Sequence, residues 1–332
     1  MHVQTLRGLA CLLLVLFHVV GDTPDAGLRF SHDHPLQFFN QVLTYLRMPL
    51  FGCIAGYVYA TRPCVDWTPF LRSKARRLLL PLLTVGGLFA LLQAFTPGVN
   101  TTSRTTWTLL VLPTAHFWFL QALFVVFIAV AVLERLGLLR TIPRTLVVAA
   151  IASGVSMASH PPAWFSIDGA IYLMPYFLLG VVARKSPPPP RWILGALLLV
   201  FAVIAAAVLT SDRPLWPRHS WVSLVLGGLG TWLLISLPWQ QRALAVLGSA
   251  SYAIFLFHVF FTAASRMALH ALGVESGVVL VGAGMVAGVV GPMLTERIIL
   301  RSRRASTLLL GDTGARRNTA GQKTGRTSPA HP

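Results

Sequence analysis

Polar residues arrive in clumps along this chain, and ten apolar runs of helical length lie between the clumps. They fall at about 6–22, 38–60, 77–96, 115–133, 145–160, 167–184, 192–210, 219–237, 248–270 and 276–299. Runs five and six are short. A helix rises ~1.5 Å per residue, so about twenty apolar residues span a hydrocarbon core roughly 30 Å thick. Lipid offers no partner to backbone N–H and C=O groups, which therefore have to close their hydrogen bonds inside each run. The pattern predicts an all-α fold: a polytopic membrane protein with about ten transmembrane helices.

The clumps carry the orientation. Arg7; Arg62, Arg72, Lys74, Arg76 and Arg77; Arg135, Arg140 and Arg144; Arg184, Lys185 and Arg191; Arg242; and eight residues from Arg297 to Arg326 share one side, 21 of the 27 Lys and Arg. The other six are Arg29, Arg104, Arg213, Arg218, Arg266 and Arg47, the last within the second run. This bias predicts that both termini are cytoplasmic, in the cell's inner (plasma) membrane. A miscounted run would have scrambled the alternation.

Composition sharpens this picture. Charged residues make up 11% of the chain and the mean hydropathy is +0.68, against about 25% charged residues in soluble domains. The net charge of +17 does not predict a nucleic-acid partner, because it lies in alternate loops and the tail. The first run ends at Val20-Gly21-Asp22 without a small-x-small cleavage site and is expected to stay as a span. Cys11, Cys53 and Cys64 read as small buried hydrophobes. After about Ser306 the chain is polar, basic and rich in Gly and Thr. The expected division is a transmembrane domain over 1–305 and a disordered basic tail over 306–332 that touches anionic lipid headgroups. Ser186 to Pro190 reads as a stiff cytoplasmic turn. His32-Asp33-His34 reads as a solvated loop, and no metal site is expected.

Ionisable groups inside the apolar runs are the candidates for chemistry. Arg7 and His18 are eleven positions apart, so Arg7, Cys11, Val15, His18 and Asp22 form one stripe and His18 lies about 16 Å deeper than Arg7. A neutral imidazole at mid-depth suits general-base work on a hydroxyl, with Asp22 four residues on to orient it; a histidine bonded between helices is the other reading. Arg47 lies about nine residues into the second run, at the depth of His18. There it can keep the imidazole neutral and stabilise a developing oxyanion, or simply pair with Asp22. Gly52 and Gly56 allow close helix approach. Lys74, Arg76 and Arg77, with Arg7 nearby, offer a cytoplasmic site for a phosphorylated ligand. His116 and Trp118 read as substrate contacts or interfacial anchors, and His258 as a substrate contact or a packing residue.

Taken in order, these residues resemble the bacterial integral-membrane acyltransferase family 3, the O-acetyltransferases of surface glycans and related lipids. Leu6-Arg7-Gly8 with His18 is similar to the family's opening motif. Arg47-Met48-Pro49-Leu50-Phe51 through Gly56-Tyr57 resembles its second-helix motif, with Ala55 where the family usually has serine. Phe70 to Pro81 resembles its Arg-x-x-Arg stretch, with Lys74 in place of the first arginine and Arg77 as the second. His116 to Leu120, Pro175 to Gly180 and Ser251 to His258 resemble later motifs. The resemblance implies acyl-CoA, usually acetyl-CoA, as a cytoplasmic donor, and a glycan or glycolipid hydroxyl at or beyond the outer face as acceptor. On this reading Arg7, Lys74, Arg76 and Arg77 hold the donor's phosphates, His18 is the base, Asp22 orients it, Arg47 stabilises charge, and His116, Trp118 and His258 meet the substrate. Direct transfer and an acyl-histidine intermediate both fit. The alternatives are a transporter or exporter of a small anionic or glycolipid substrate, which also needs intramembrane Arg and His, and a non-catalytic membrane subunit.

Overall fold

The computed structural model describes residues 2–21, 26–31, 34–96, 111–159, 161–210 and 216–312. The helices are α1 (His2–Val20), α2 (Pro35–Val42), α3 (Thr44–Tyr59), α4 (Trp67–Phe95), α5 (Trp118–Arg135), α6 (Ile142–Ala158) and α7 (Ile167–Lys185). They continue with α8 (Arg191–Leu209), α9 (Trp221–Ser236), α10 (Arg242–Ser249), α11 (Ser251–Ala271), α12 (Gly277–Ile299) and α13 (Arg303–Leu310). No strand occurs among the described residues. Eight helical stretches are long and apolar enough to cross a membrane, with α2 and α3 together as one of them, and the shorter apolar α6 and α9 fill the other two places expected from the pattern. The chain is an all-α polytopic membrane protein.

The second run divides at Leu43 into α2 and α3, because the chain tightens there into a turn in which Leu46 N–H reaches the Leu43 carbonyl. Helix α4 has 29 residues, about 43 Å of helix. That exceeds the bilayer core, so its first turns, with Arg72, Lys74, Arg76 and Arg77, can stand in the cytoplasm ahead of Pro81.

Helix α1 packs against α3, α10, α11 and α12. It runs parallel to α11 in a fixed register. Cys11 Sγ donates to the Ser251 carbonyl at 3.6 Å, and seven residues further along both helices His18 meets His258. The expected close approach of α3 has a partner in α7. A Cβ on Gly56 would fall 1.8 Å from the Phe177 carbonyl oxygen, and one on Gly180 1.9 Å from that of Cys53. Such backbone contact is the main attraction available between helices where lipid is as apolar as the side chains. Helix α8 buries no residue and stands at the periphery against α9. Cys11 and Cys53 are buried and Cys64 is half-buried, all three as free thiols.

Two short helices lie outside the ten apolar runs. Helix α10 is antiparallel to the start of α1, with Gly8 against Leu244 and Gly248 against Gln4. Helix α13 includes residues 306–310, which the composition assigns to the tail. Ser302 caps it through the Ala305 N–H, and Gly311, at φ +63°, closes it with Asp312 N–H bonded to the Ser306 carbonyl. Leu310 is buried and Thr84 of α4 donates to the Leu308 carbonyl, so order extends to Asp312.

Candidate active site

Three histidines from three parts of the chain meet where α1, α11 and the turn before α5 converge. The ring centroids of His18 and His258 are 4.6 Å apart, those of His116 and His258 4.9 Å, and those of His18 and His116 5.6 Å. His258 is fully buried and His116 is 4% exposed. Phe17, Phe89, Phe117 and Phe255 pack around them. His116 sits on a short 3-10 turn, Ala115–Phe117, entered through Ala115 at φ +40°. A non-glycine residue there is strained, a condition that persists where the surroundings hold the backbone for a purpose.

The partners of each ring nitrogen fix where its proton sits. His258 Nδ1 lies 2.9 Å from the Ile254 carbonyl and 3.0 Å from that of Phe255, so it carries the hydrogen. Its Nε2 then holds a lone pair, and that lone pair faces His18 Nδ1 at 3.1 Å. His18 Nδ1 is also 3.0 Å from the Leu14 carbonyl, so it too is the protonated nitrogen and its hydrogen is shared between two acceptors. The chain of bonds leaves the lone pair of His18 on Nε2, in the tautomer a general base requires.

The three imidazoles are also a nitrogen donor set, with one ligand atom from each within 4.8 Å of the others. A tetrahedral zinc site has donor–donor edges of about 3.3 Å. His18 and His258 already meet at hydrogen-bond distance, and closing the set on an ion requires His116 to move inward.

His18 and His116 line a cavity of about 1120 Å³. Leu14 to Gly21 of α1, Phe89 to Thr96 at the end of α4, Val259 to Met267 of α11 and Leu280 to Gly284 near the start of α12 line it, so it occupies the half of the bundle away from the basic loops. His18, Arg47, His116 and Trp118 all line it. Arg47, 2% exposed, has its guanidinium 3.9 Å from the Phe17 ring centroid and donates to the Asn40 backbone oxygen at 2.9 Å and side-chain oxygen at 3.3 Å. Asn40 in turn donates to the Gly21 carbonyl at 2.8 Å. The expected meeting with His18 is thus an arrangement of neighbours: Arg47 stacks on the residue before it. Trp118 is held between Gly169 and the Arg218 guanidinium. Burial of His116 within the histidine group replaces the reading of it as an interfacial anchor. Asp22 and the His32-Asp33 pair lie outside the described residues.

At the opposite end, Arg77 lies 5.1 Å from the Tyr252 ring centroid and accepts a hydrogen bond from the Tyr252 hydroxyl at its backbone oxygen. Glu296 of α12 is within electrostatic reach of Arg77. Arg77 therefore lies beside the start of α11, whose N-terminus carries a partial positive charge. The backbone at Arg76 abuts Gly311 beyond α13. The Lys74 ammonium lies over the Phe70 and Phe127 rings, at 5.1 and 4.1 Å.

The family model of an acyltransferase domain matches residues 3–297, from the first turn of α1 almost to the end of α12. The chain belongs to acyltransferase family 3. Comparison with curated proteins and with solved structures gives no match.

The chain is a multi-pass membrane acyltransferase, and the cavity adds residues that do not stand out in the sequence. Arg29, Arg218 and Arg266 line it beside Arg47. Arg218 bridges to Asp168 and lies 5.8 Å from the Tyr172 ring centroid, and His219 reaches Asp168 at 2.8 Å. Burial pushes the Arg218 guanidinium below its ordinary range. In the sequence these arginines were merely the minority left on the outer side, and that exception to the charge bias was the available signal.

Proposed function

We propose that this acyltransferase moves an acyl group, an acetyl group in the simplest case, from cytoplasmic acyl-CoA to the hydroxyl of a cell-surface glycan or glycolipid held in the outer cavity. The observation that carries the proposal is the His18–His258 contact at 3.1 Å, in which His18 also lines that cavity. The donor's phosphates lie against Arg7, Arg76, Arg77 and the N-terminus of α11, where backbone N–H groups and the helix dipole favour an anion. Lys74 supports this mouth from its aromatic seat. The pantetheine arm runs along the α1–α11 seam, whose seven-residue register spans about 10 Å between the level of Ser251 and that of His258.

The acceptor hydroxyl gives its proton to His18 Nε2 as its oxygen attacks the thioester carbon. The C–O bond forms and the tetrahedral adduct collapses. The C–S bond then breaks, and the proton on His18 passes to the departing thiolate. His258 accepts the His18 Nδ1–H throughout, and that bond becomes charge-assisted while His18 is protonated. Arg47 supplies positive charge to the cavity wall for the developing oxyanion. Trp118 and His116 shape the acceptor's seat.

The test is thermal unfolding of the purified protein in detergent with acetyl-CoA, CoA and phosphate-free controls such as pantetheine. A ligand at 100 times its Kd stabilises the native state by about 2.7 kcal/mol. The proposal predicts stabilisation by acetyl-CoA and CoA that Arg77→Ala weakens. Equal melting with and without both nucleotides would instead favour the exporter or the non-catalytic subunit.

A further inference from the structure

Four arginines line one cavity, and none of the described lining residues is acidic. Topology does not explain them, since Lys and Arg are otherwise concentrated on the cytoplasmic side. Arg47 is the deep member. Arg266 lies eight residues beyond His258 on α11, about 12 Å further out, and donates to the Gly27 carbonyl. Arg29 sits two residues from Gly27 in the same turn, its N–H 3.0 Å from the Ala26 carbonyl and its φ at +56°. Both side chains line the cavity, and the two guanidiniums are within electrostatic reach of each other. Like charges brought together cost free energy unless an anion shares them. Across the mouth, Arg218 lies on the rings of Trp118 and Tyr172 at 5.7 and 5.8 Å, which fixes the plane of its fork. Asp168 offsets one of the four charges. The neighbouring segment 22–25 holds two acidic residues, Asp22 and Asp25, and setting both against the cavity still leaves it positive.

We infer that the acceptor bears an anionic group, a phosphate or a carboxylate, and that Arg29, Arg218 and Arg266 bind it at the mouth of the cavity while the hydroxyl to be acylated reaches His18. The inference rests on the acyltransfer reading for the identity of the ligand as acceptor, while the anion site itself does not. A bidentate arginine fork suits either group. Two sources share this chemistry, a charged sugar and an anionic lipid headgroup.

The experiment measures ligand-dependent melting of the full-length protein. In neutral detergent the probes are methyl glucoside, methyl glucuronide and glucose 1-phosphate. In nanodiscs the comparison is phosphatidylcholine with and without phosphatidylglycerol. The expected result is at least tenfold tighter binding of a charged sugar than of the neutral one, or stabilisation by the anionic lipid, and at least a tenfold loss of that preference in Arg29→Gln/Arg266→Gln. Arg29→Lys/Arg266→Lys keeps the charge and retains part of the preference, which guards against misfolding of the first variant. Equal response to neutral and charged probes, or a preference that survives in the Gln double variant, overturns the inference. Acetyl-CoA melting run in parallel separates the two failures. Stabilisation by acetyl-CoA without anion preference leaves acyltransfer standing, and the reverse leaves the anion site standing without it.

Discussion

Both ring nitrogens of His258 are engaged, one with its own helix and one with His18, so in the proposed mechanism this residue positions His18 and has no nitrogen to offer a substrate. His258→Phe keeps the ring's bulk and deletes the acceptor. It is expected to lower kcat about a hundredfold or more, within the ordinary contribution of general-base catalysis, while KM for acetyl-CoA stays near wild type; His258→Gln, whose amide oxygen can accept the His18 hydrogen, restores part of the loss. Steady-state kinetics on the three proteins checks this, and a parallel rise in KM would mark a packing defect. At this scale the sequence showed which residues were out of place in an apolar run, among them His18, Arg47 and His258. It did not show their pairing, because His18 and His258 are 240 positions apart and their register depends on how α1 and α11 pack. The bonding of Arg47 to Asn40 was hidden for a different reason: a short polar residue at the outer end of an apolar run looks like any interfacial group.

The helices themselves were legible because lipid enforces a single rule on the backbone. The ten apolar runs match the spanning helices and the two shorter ones to within a few residues, except that α4 begins ten residues before its run, in the polar stretch from Trp67. Helices α10 and α13 were not, since eight residues with one apolar face carry no membrane signal and draw their order from α1 and α4. The glycine spacing in α3 was readable as a close-approach surface, though its partner was not. At that crossing Gly56→Val is expected to destabilise the protein by about 1–3 kcal/mol or more through overpacking against the Phe177 carbonyl. Gly154→Val in α6, where a Cβ meets nothing within 4 Å, should leave melting unchanged or slightly improved. Comparing the two midpoints in one detergent checks the α3–α7 contact; equal midpoints would count against it.

Across the whole molecule, charge and cavity divide the work between two faces. Arg77 stands at the head of α11 at one end, and four arginines line a cavity toward the other, which His18 also lines. The alternation of basic loops predicts the orientation. The cavity was not readable, because its lining comes from α1, α3, α4, α5, α7, α11, α12 and the loops between them, and no local pattern records their convergence. In the proposed mechanism the acyl group passes by His18 from one face to the other. The most direct measurement is transfer of radiolabelled acetyl from acetyl-CoA in sealed vesicles of uniform orientation, with donor supplied to the cytoplasmic face and label followed into acceptor on the opposite face. The wild-type protein should transfer label, and His18→Ala, still folded and still stabilised by acetyl-CoA, should transfer it at least a hundredfold more slowly. Transfer by His18→Ala at near the wild-type rate would contradict the account.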